Sequence, residues 1–272
     1  MMKKIATLFI FFWGVFIVSA QSEKLQAMEQ ELVFVHNMAK EMWFYSHTTN
    51  YDFDGDYYMQ YDEMLTLIFG QFDKMLNKML VEDKDMTYPF AALQNSGISG
   101  TKIVWSGDSL LRVFSWMLPG GTLQVYGNAM QYKNTKAIVR SFSFPNEYNK
   151  HDHDASYEYD TIYTLKDNDK TIYILSGRTL FSTRIAGYQL MAFSIQDEFV
   201  EKNIFEDENG ITNKTSMSYE INCSDIDLKT SPALTIDVNK KIMTAWEMKE
   251  GCFTGKFIKY QFDGKKFKHI SF

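Results

Sequence analysis

The spacing of apolar positions changes once along the chain, near residue 100. Over residues 22 to about 47, Leu25, Met28, Leu32, Val35, Met38 and Met42 recur at steps of three and four. Glu23, Lys24, Glu29, Glu31 and Lys40 fill the other side of that period, so the stretch predicts an amphipathic helix with Ser22 as a suitable N-cap. A second run, over about 57–80, is carried by Tyr61, Met64, Leu65, Ile68, Phe72, Met75, Leu76 and Met79. Polar residues between the two runs make a helical hairpin the expected unit. The Glu82-Asp83-Lys84-Asp85 link and the Tyr88-Pro89 pair then break the helical pattern, because the residue before a proline is held extended.

Beyond Gly100 the period becomes two. Short runs rich in β-branched and aromatic residues fall at 102–106, 110–117, 122–131, 136–143, 157–165, 170–176, 179–182, 188–196, 199–205, 215–222, 233–238, 241–247, 255–262 and 265–271. Turn residues separate them, including Asn209-Gly210, Asn239-Lys240 and Asp263-Gly264, the last of which favours a type I′ hairpin. Consecutive short strands with local turns pair antiparallel. The expected fold is therefore α+β and mainly β: an N-terminal helical hairpin followed by a large antiparallel β-meander. Barrel, sandwich and propeller-like closure all remain open, and the lack of a self-similar repeat near 40 residues counts against a regular propeller.

The first twenty residues stand apart from this pattern. Lys3 and Lys4 precede an apolar run from Ile5 to Val18, and Val18-Ser19-Ala20 suits a signal-peptidase site, so Gln21 is expected to begin the mature chain. The run is shorter than the roughly 20 residues of a spanning helix. The expected product is exported, periplasmic or extracellular, and is not an integral membrane protein after cleavage. Its segments are 1–20 (signal peptide), 21–87 (helical) and 88–272 (β).

Losing Lys3 and Lys4 takes 28 basic residues to 26 against 34 acidic ones, and the formal charge from −6 to −8. An acidic chain without a basic cluster lacks the electrostatic footprint of a nucleic-acid binder. Hydrophobic residues make up 45% and aromatic residues 16% of the sequence, enough for a sizeable core. Cys223 and Cys252 are the two cysteines. In an exported protein they can form one bridge, stabilising by about 3 kcal/mol in the chain-entropy picture; two buried thiols are the alternative.

Candidate chemistry is sparse. Asp52, Asp54, Asp56 and Glu63 imitate positions 1, 3, 5 and 12 of a calcium loop, but Tyr57 stands where that loop needs glycine, and an acidic helix N-terminus explains them better. His151 and His153 alternate with Asp152 and Asp154, and two imidazoles on one face of an extended segment could contribute to a zinc or copper site. A solvated loop is the simpler account. Ser106-Gly107-Asp108-Ser109 has the look of an esterase block but sits between two strands, as a hairpin turn does. Arg112 and Trp116 share a strand face with Leu110 and Phe114, and with Tyr126 nearby they are candidate ligand contacts. The competing account has the Arg112 stem covering aromatic surface within the core.

Leu111-Arg112-Val113-Phe114-Ser115-Trp116, followed by Gly120-Gly121-Thr122, resembles a block that recurs in uncharacterised secreted bacterial proteins. There it runs Leu-Arg-aliphatic-aromatic-Ser-Trp-Asp and then Gly-Gly-Thr-Met. The present chain departs at Met117 and Leu123, while Ile172-Tyr173-Ile174-Leu175 and Phe257-Ile258-Lys259-Tyr260-Gln261-Phe262 also suit the resemblance. It implies an exported helix-plus-sheet protein of unassigned activity, and it transfers no catalytic residue. The functional expectation is a non-enzymatic binding or interaction protein with an unknown protein or glycan partner and no implied cofactor. A metal-dependent or carboxylate-based hydrolase acting on an extracytoplasmic polymer is the alternative. A third class is an accessory subunit whose Met-rich helices (Met28, Met38, Met42, Met64, Met75, Met79) dock a partner, although their spacing also suits core packing.

Overall fold

The structure, a computed structural model, describes residues 2–48, 55–97, 99–118, 124–144, 157–167, 170–207, 210–221 and 233–270, with helical side chains described for 21–44 and from Glu63 onward. The chain divides into two compact units, Met1–Gly100 and Thr101–Phe272.

The first unit is the expected hairpin of two helices, α1 (Met2–Thr48) and α2 (Gly55–Glu82). Helix α1 runs without a break through the expected cleavage point, so Ser22 caps nothing in the full chain. Part of the apolar stripe falls where periodicity put it: Leu25 and Leu32 from α1 and Leu65, Phe72, Leu76 and Met79 from α2 are buried, joined by Ala39 and Phe69, while Met38 and Met64 are exposed. Gln21 Nε2 donates to the Glu82 carbonyl at 3.2 Å, and Lys24 pairs with the Glu82 carboxylate at 2.7 Å. These contacts tie the expected mature N-terminus to the end of α2.

Residues 88–100, grouped with the sheet by pattern, belong to the helical unit. Together with 83–87 they form a strap that includes a short 3₁₀ turn, Leu93–Asn95. The strap has no strand to pair with, and side-chain acceptors take several of its backbone donors. Asp83 accepts from the N–H groups of Thr87 and Tyr88, Glu29 from Leu93 N–H at 2.9 Å, and Asn37 from Gly97 N–H at 2.8 Å.

The second unit is a succession of antiparallel meanders. The first sheet holds β1 (Thr101–Trp105), β2 (Leu111–Leu118), β3 (Val125–Lys133) and β4 (Val139–Ser143), in that order. The middle sheet is built on β5 (Glu158–Asp167), β6 (Lys170–Leu180) and β7 (Ile185–Ile195). The free edge of β7 is shared by β8 (Phe199–Glu201) and β11 (Lys214–Glu220). A small hairpin, β9 (Phe205–Asp207) with β10 (Gly210–Thr212), interrupts the sequence. The last sheet runs β12 (Leu234–Asp237), β13 (Ile242–Lys249), β14 (Cys252–Phe262) and β15 (Phe267–Ile270).

Two cores show how these sheets stack. Leu111, Val113, Met130 and Tyr132 of the first sheet cluster with Tyr159, Tyr173, Leu175, Met191 and Phe193 of the middle one. Ile172, Ile174, Tyr188, Leu190 and Ala192, from the opposite face of the middle sheet, cluster with Leu234, Ile236, Met243, Ala245 and Phe262 of the last. The central strands β6 and β7 of the middle sheet are thus buried on both faces, which is why the centres of both read as nearly continuous apolar runs. Layered open sheets, and no closed barrel, are found among the described residues.

Two local expectations change. The runs 170–176 and 179–182 form a single strand, β6, because Gly177 lets the backbone pass beneath Tyr157 and Tyr159. A Cβ there would lie 2.9 Å from Tyr157 Cβ and from Tyr159 Cδ1. The Asp263-Gly264 turn is a four-residue connection, not a two-residue type I′ turn: Phe262 pairs with Phe267, Asp263 Oδ1 accepts from the N–H groups of Lys265 and Lys266, and Gly264 alone of the four has positive φ.

Candidate binding surface

Strand β2 has one partner on each side, and the registers fix which side chains share a face. Trp105, Arg112 and Gln131 form one cross-strand row, and Trp116 lies opposite Gly127 on the same face. Tyr126 lies opposite Met117 and points the other way. The structure therefore unites Arg112 with Trp116 but places Tyr126 on the opposite side of the sheet.

All three are buried. Arg112, 1% exposed, donates from Nε to Gln131 Oε1, and its guanidinium carbon lies 4.7 Å from the Trp105 ring centroid and 5.2 Å from that of Phe114. Trp116 lies across Gly127, where a Cβ would come within 2.2 Å of the indole. Tyr126 donates to Gln124 Oε1 at 3.0 Å, and burial pushes its phenol up to about 12. The motif that suggested a ligand groove thus builds a strand covered on both faces.

The remaining residues of the block are also structural. Ser115 Oγ donates to Asn128 Oδ1 at 2.6 Å and accepts the Tyr159 N–H at 3.1 Å, while Asn128 Nδ2 donates to the Tyr157 carbonyl at 3.1 Å. This pair fastens the first sheet to the start of β5. Asp108 shapes the β1–β2 turn by accepting from Ser106 Oγ and Leu110 N–H, and its second oxygen accepts from Tyr173 of the middle sheet at 2.7 Å. Ser106, 3% exposed, is committed to that turn, as the strand context implied.

The metal candidates give little. His151 and His153 lie outside the described residues, and no group of three possible ligands occurs among those described. Asp52 and Asp54 also lie outside; residues 55–63 are helical, where a calcium loop would have to turn. Cys252 opens β14, Cys223 lies outside the described residues, and no free cysteine is found among those described. Among the described residues no helix is long and apolar enough to cross a membrane.

One charged cluster lies where β5 begins. Glu158 pairs with Arg178 at 3.4 Å and with Lys102 at 3.5 Å. A register shift between Tyr159 and Thr161 leaves Asp160 in a bulge, and burial holds its carboxyl above the usual range despite Lys102.

A different surface has the make-up of a contact site. Along β14, Ile258, Tyr260 and Phe262 lie opposite Ala245, Met243 and the start of β13, on the core side. Phe257, Lys259 and Gln261 therefore face outward, with Thr244 and Ile242 beside them on β13 and Trp246 there partly buried against the core. Phe257 is 54% exposed and lies against the Trp246 ring at a centroid distance of 3.9 Å. The other aromatic group at a sheet edge differs: Phe142 of β4 stacks on Phe199 of β8 at 5.3 Å and so closes the margin between two sheets. The outer pair was missed in the sequence because all aromatics there were assigned to strands alike. The signal was nevertheless present: once Ile258, Tyr260 and Phe262 claim the core, period two sends Phe257 outward.

No family model, no curated protein and no solved structure matches this chain.

Proposed function

We propose that this is an exported, non-enzymatic binding protein and that the outer face of its last sheet receives the partner, a protein or a glycan. The observation that carries this reading is Phe257, a ring left 54% exposed against the partly buried Trp246 on a sheet face that also presents Thr244 and Lys259. Rigid aromatics supply contact area at small entropic cost, and neighbouring polar groups supply orientation. The signal-like leader and the resemblance to secreted proteins support export.

The direct test is a glycan array together with capture from envelope extract, run with wild type and with Phe257→Ala and Trp246→Ala. The expected result is a partner whose binding falls at least tenfold in both variants. A partner bound equally by all three proteins would move the site elsewhere.

The bulged Asp160 beside Glu158 favours a second reading, a carboxylate-based hydrolase. Its test is hydrolysis of extracytoplasmic polymers by wild type and Asp160→Asn. No turnover in wild type, or full turnover in the variant, ends it.

A further inference from the structure

The strap at 83–97 is held to α1 by a line of buried polar side chains. Glu29 lies on the buried stripe of α1, and His36 follows two turns later with Asn37 beside it. Glu29 accepts from Tyr88 Oη at 2.7 Å as well as from Leu93 N–H. Ser96 Oγ donates to the Leu93 carbonyl at 2.8 Å, so its 3.0 Å contact with His36 Nδ1 needs the proton on that nitrogen. Gly97, with φ +69°, packs its backbone on the far side of the ring: a Cβ there would come 2.3–2.6 Å from Cε1, Nε2 and Nδ1. Phe72 of α2 lies against the same ring at 4.9 Å.

We infer that His36 is an acid-sensitive latch: a neutral ring holds the strap on α1, and protonating it loosens the strap, turning the connection between α2 and β1 into a flexible linker. The site accepts the neutral Nδ1–H tautomer. A second proton would place a positive charge on a ring that is 2% exposed and packed between the Gly97 backbone and Phe72. Phe72 is the facing group from α2, Ser96 and Gly97 face the ring from the strap, and Lys40 stands one turn further along α1. The Lys40 charge repels a second positive charge on the ring. Burial first, and Lys40 second, lower the ring from its ordinary 6.5 to about 4.

The direction follows from linkage. The latched form binds fewer protons than the released form, so latching is at full strength above pH 6.5 and weakens as pH falls toward 4. Those two values imply on the order of a twentyfold loss of latching between pH 7 and pH 5, a range in which ordinary carboxylates stay mostly ionised.

The test uses the mature full chain. Hydrogen exchange at the Leu93, Ser96 and Gly97 amides, corrected for intrinsic rates, is compared at pH 7 and pH 5. Wild type should lose about twentyfold of its protection. His36→Gln keeps a donor toward Ser96 but cannot titrate, and should stay nearly level. Gly97→Ala should lose protection already at pH 7, because its methyl group displaces the ring. Unchanged protection in wild type, or the same loss in His36→Gln, overturns the latch. If His36→Gln is unprotected at both pH values, an NMR titration of the wild-type ring decides: a pKa near 6.5 with the strap docked refutes the proposal, and one near 4 supports it.

Discussion

The two units bury polar groups in different ways. In the helical unit the buried polar residues include Glu29, His36 and Asp83, all ionisable. Where the first sheet meets the middle one they are Ser115 and Asn128, which are neutral, and on the other face of the first sheet Gln131 lies with Arg112, which stays charged. The cause lies in the backbone. Strands satisfy their own N–H and C=O groups along the ladder, so their side chains need only fasten one sheet to the next. The strap has no ladder, and its buried and half-buried backbone donors require acceptors, which carboxylates and an amide of α1 and the strap supply. The buried His36 brings a pH sensitivity that the Ser115–Asn128 pair lacks. Acidification from pH 7 to pH 5 should therefore loosen the strap of the helical unit while leaving the Ser115–Asn128 fastening unchanged.

The most severe challenge to this contrast is Trp116→Ala. It empties a fully buried site over Gly127 and should cost about 3–5 kcal/mol, read from urea denaturation of the mature protein. A loss below about 1 kcal/mol would mean that this face does not hold the β unit together. Next comes the proposed Cys223–Cys252 bridge, where the double serine variant should lose about 3 kcal/mol. Two free thiols in a denatured, unreduced sample would refute it. Glu29→Ala leaves Leu93 N–H and the Tyr88 hydroxyl without their acceptor and should cost on the order of 2 kcal/mol, with strap protection lost at neutral pH. Ser115→Ala, the matching change between sheets, should cost about 1–2 kcal/mol by the same measurement and show no dependence on pH between 5 and 7. A pH-dependent cost there would erase the distinction between the units. Phe257→Ala sits at the bottom of the scale, within about 0.5 kcal/mol of wild type in stability, because its ring is mostly exposed. Its effect should be on binding alone.

Much of the fold was legible because periodicity reports burial. Leu25, Leu32, Phe72 and Leu76 lie inside as their spacing predicted, and strands such as Leu111–Leu118 and Val125–Lys133 lie within a few residues of the runs that announced them. Arg112 shows the limit. Its strand face was correct, but whether that face was a groove or a covered layer depended on Gln131, nineteen residues away, and on Trp105 across the sheet. The strap at 88–100 was misplaced for a related reason: its partners Glu29, His36 and Asn37 lie about sixty residues upstream.

By itself, the sequence determined where helix gives way to strand, much of which side of each element is apolar, and that most strands pair antiparallel with their neighbours, β11 on β7 being an exception. These are local properties, set by side-chain period and turn chemistry. Tertiary structure alone decided that the meanders stack with β6 and β7 of the middle sheet buried on both faces, that Arg112 is enclosed while Phe257 is exposed, and that a histidine with no telling neighbours in the chain is the buried ring beneath the strap. Those outcomes depend on which residues distant in sequence meet, and meeting is a matter of packing geometry that no local pattern encodes.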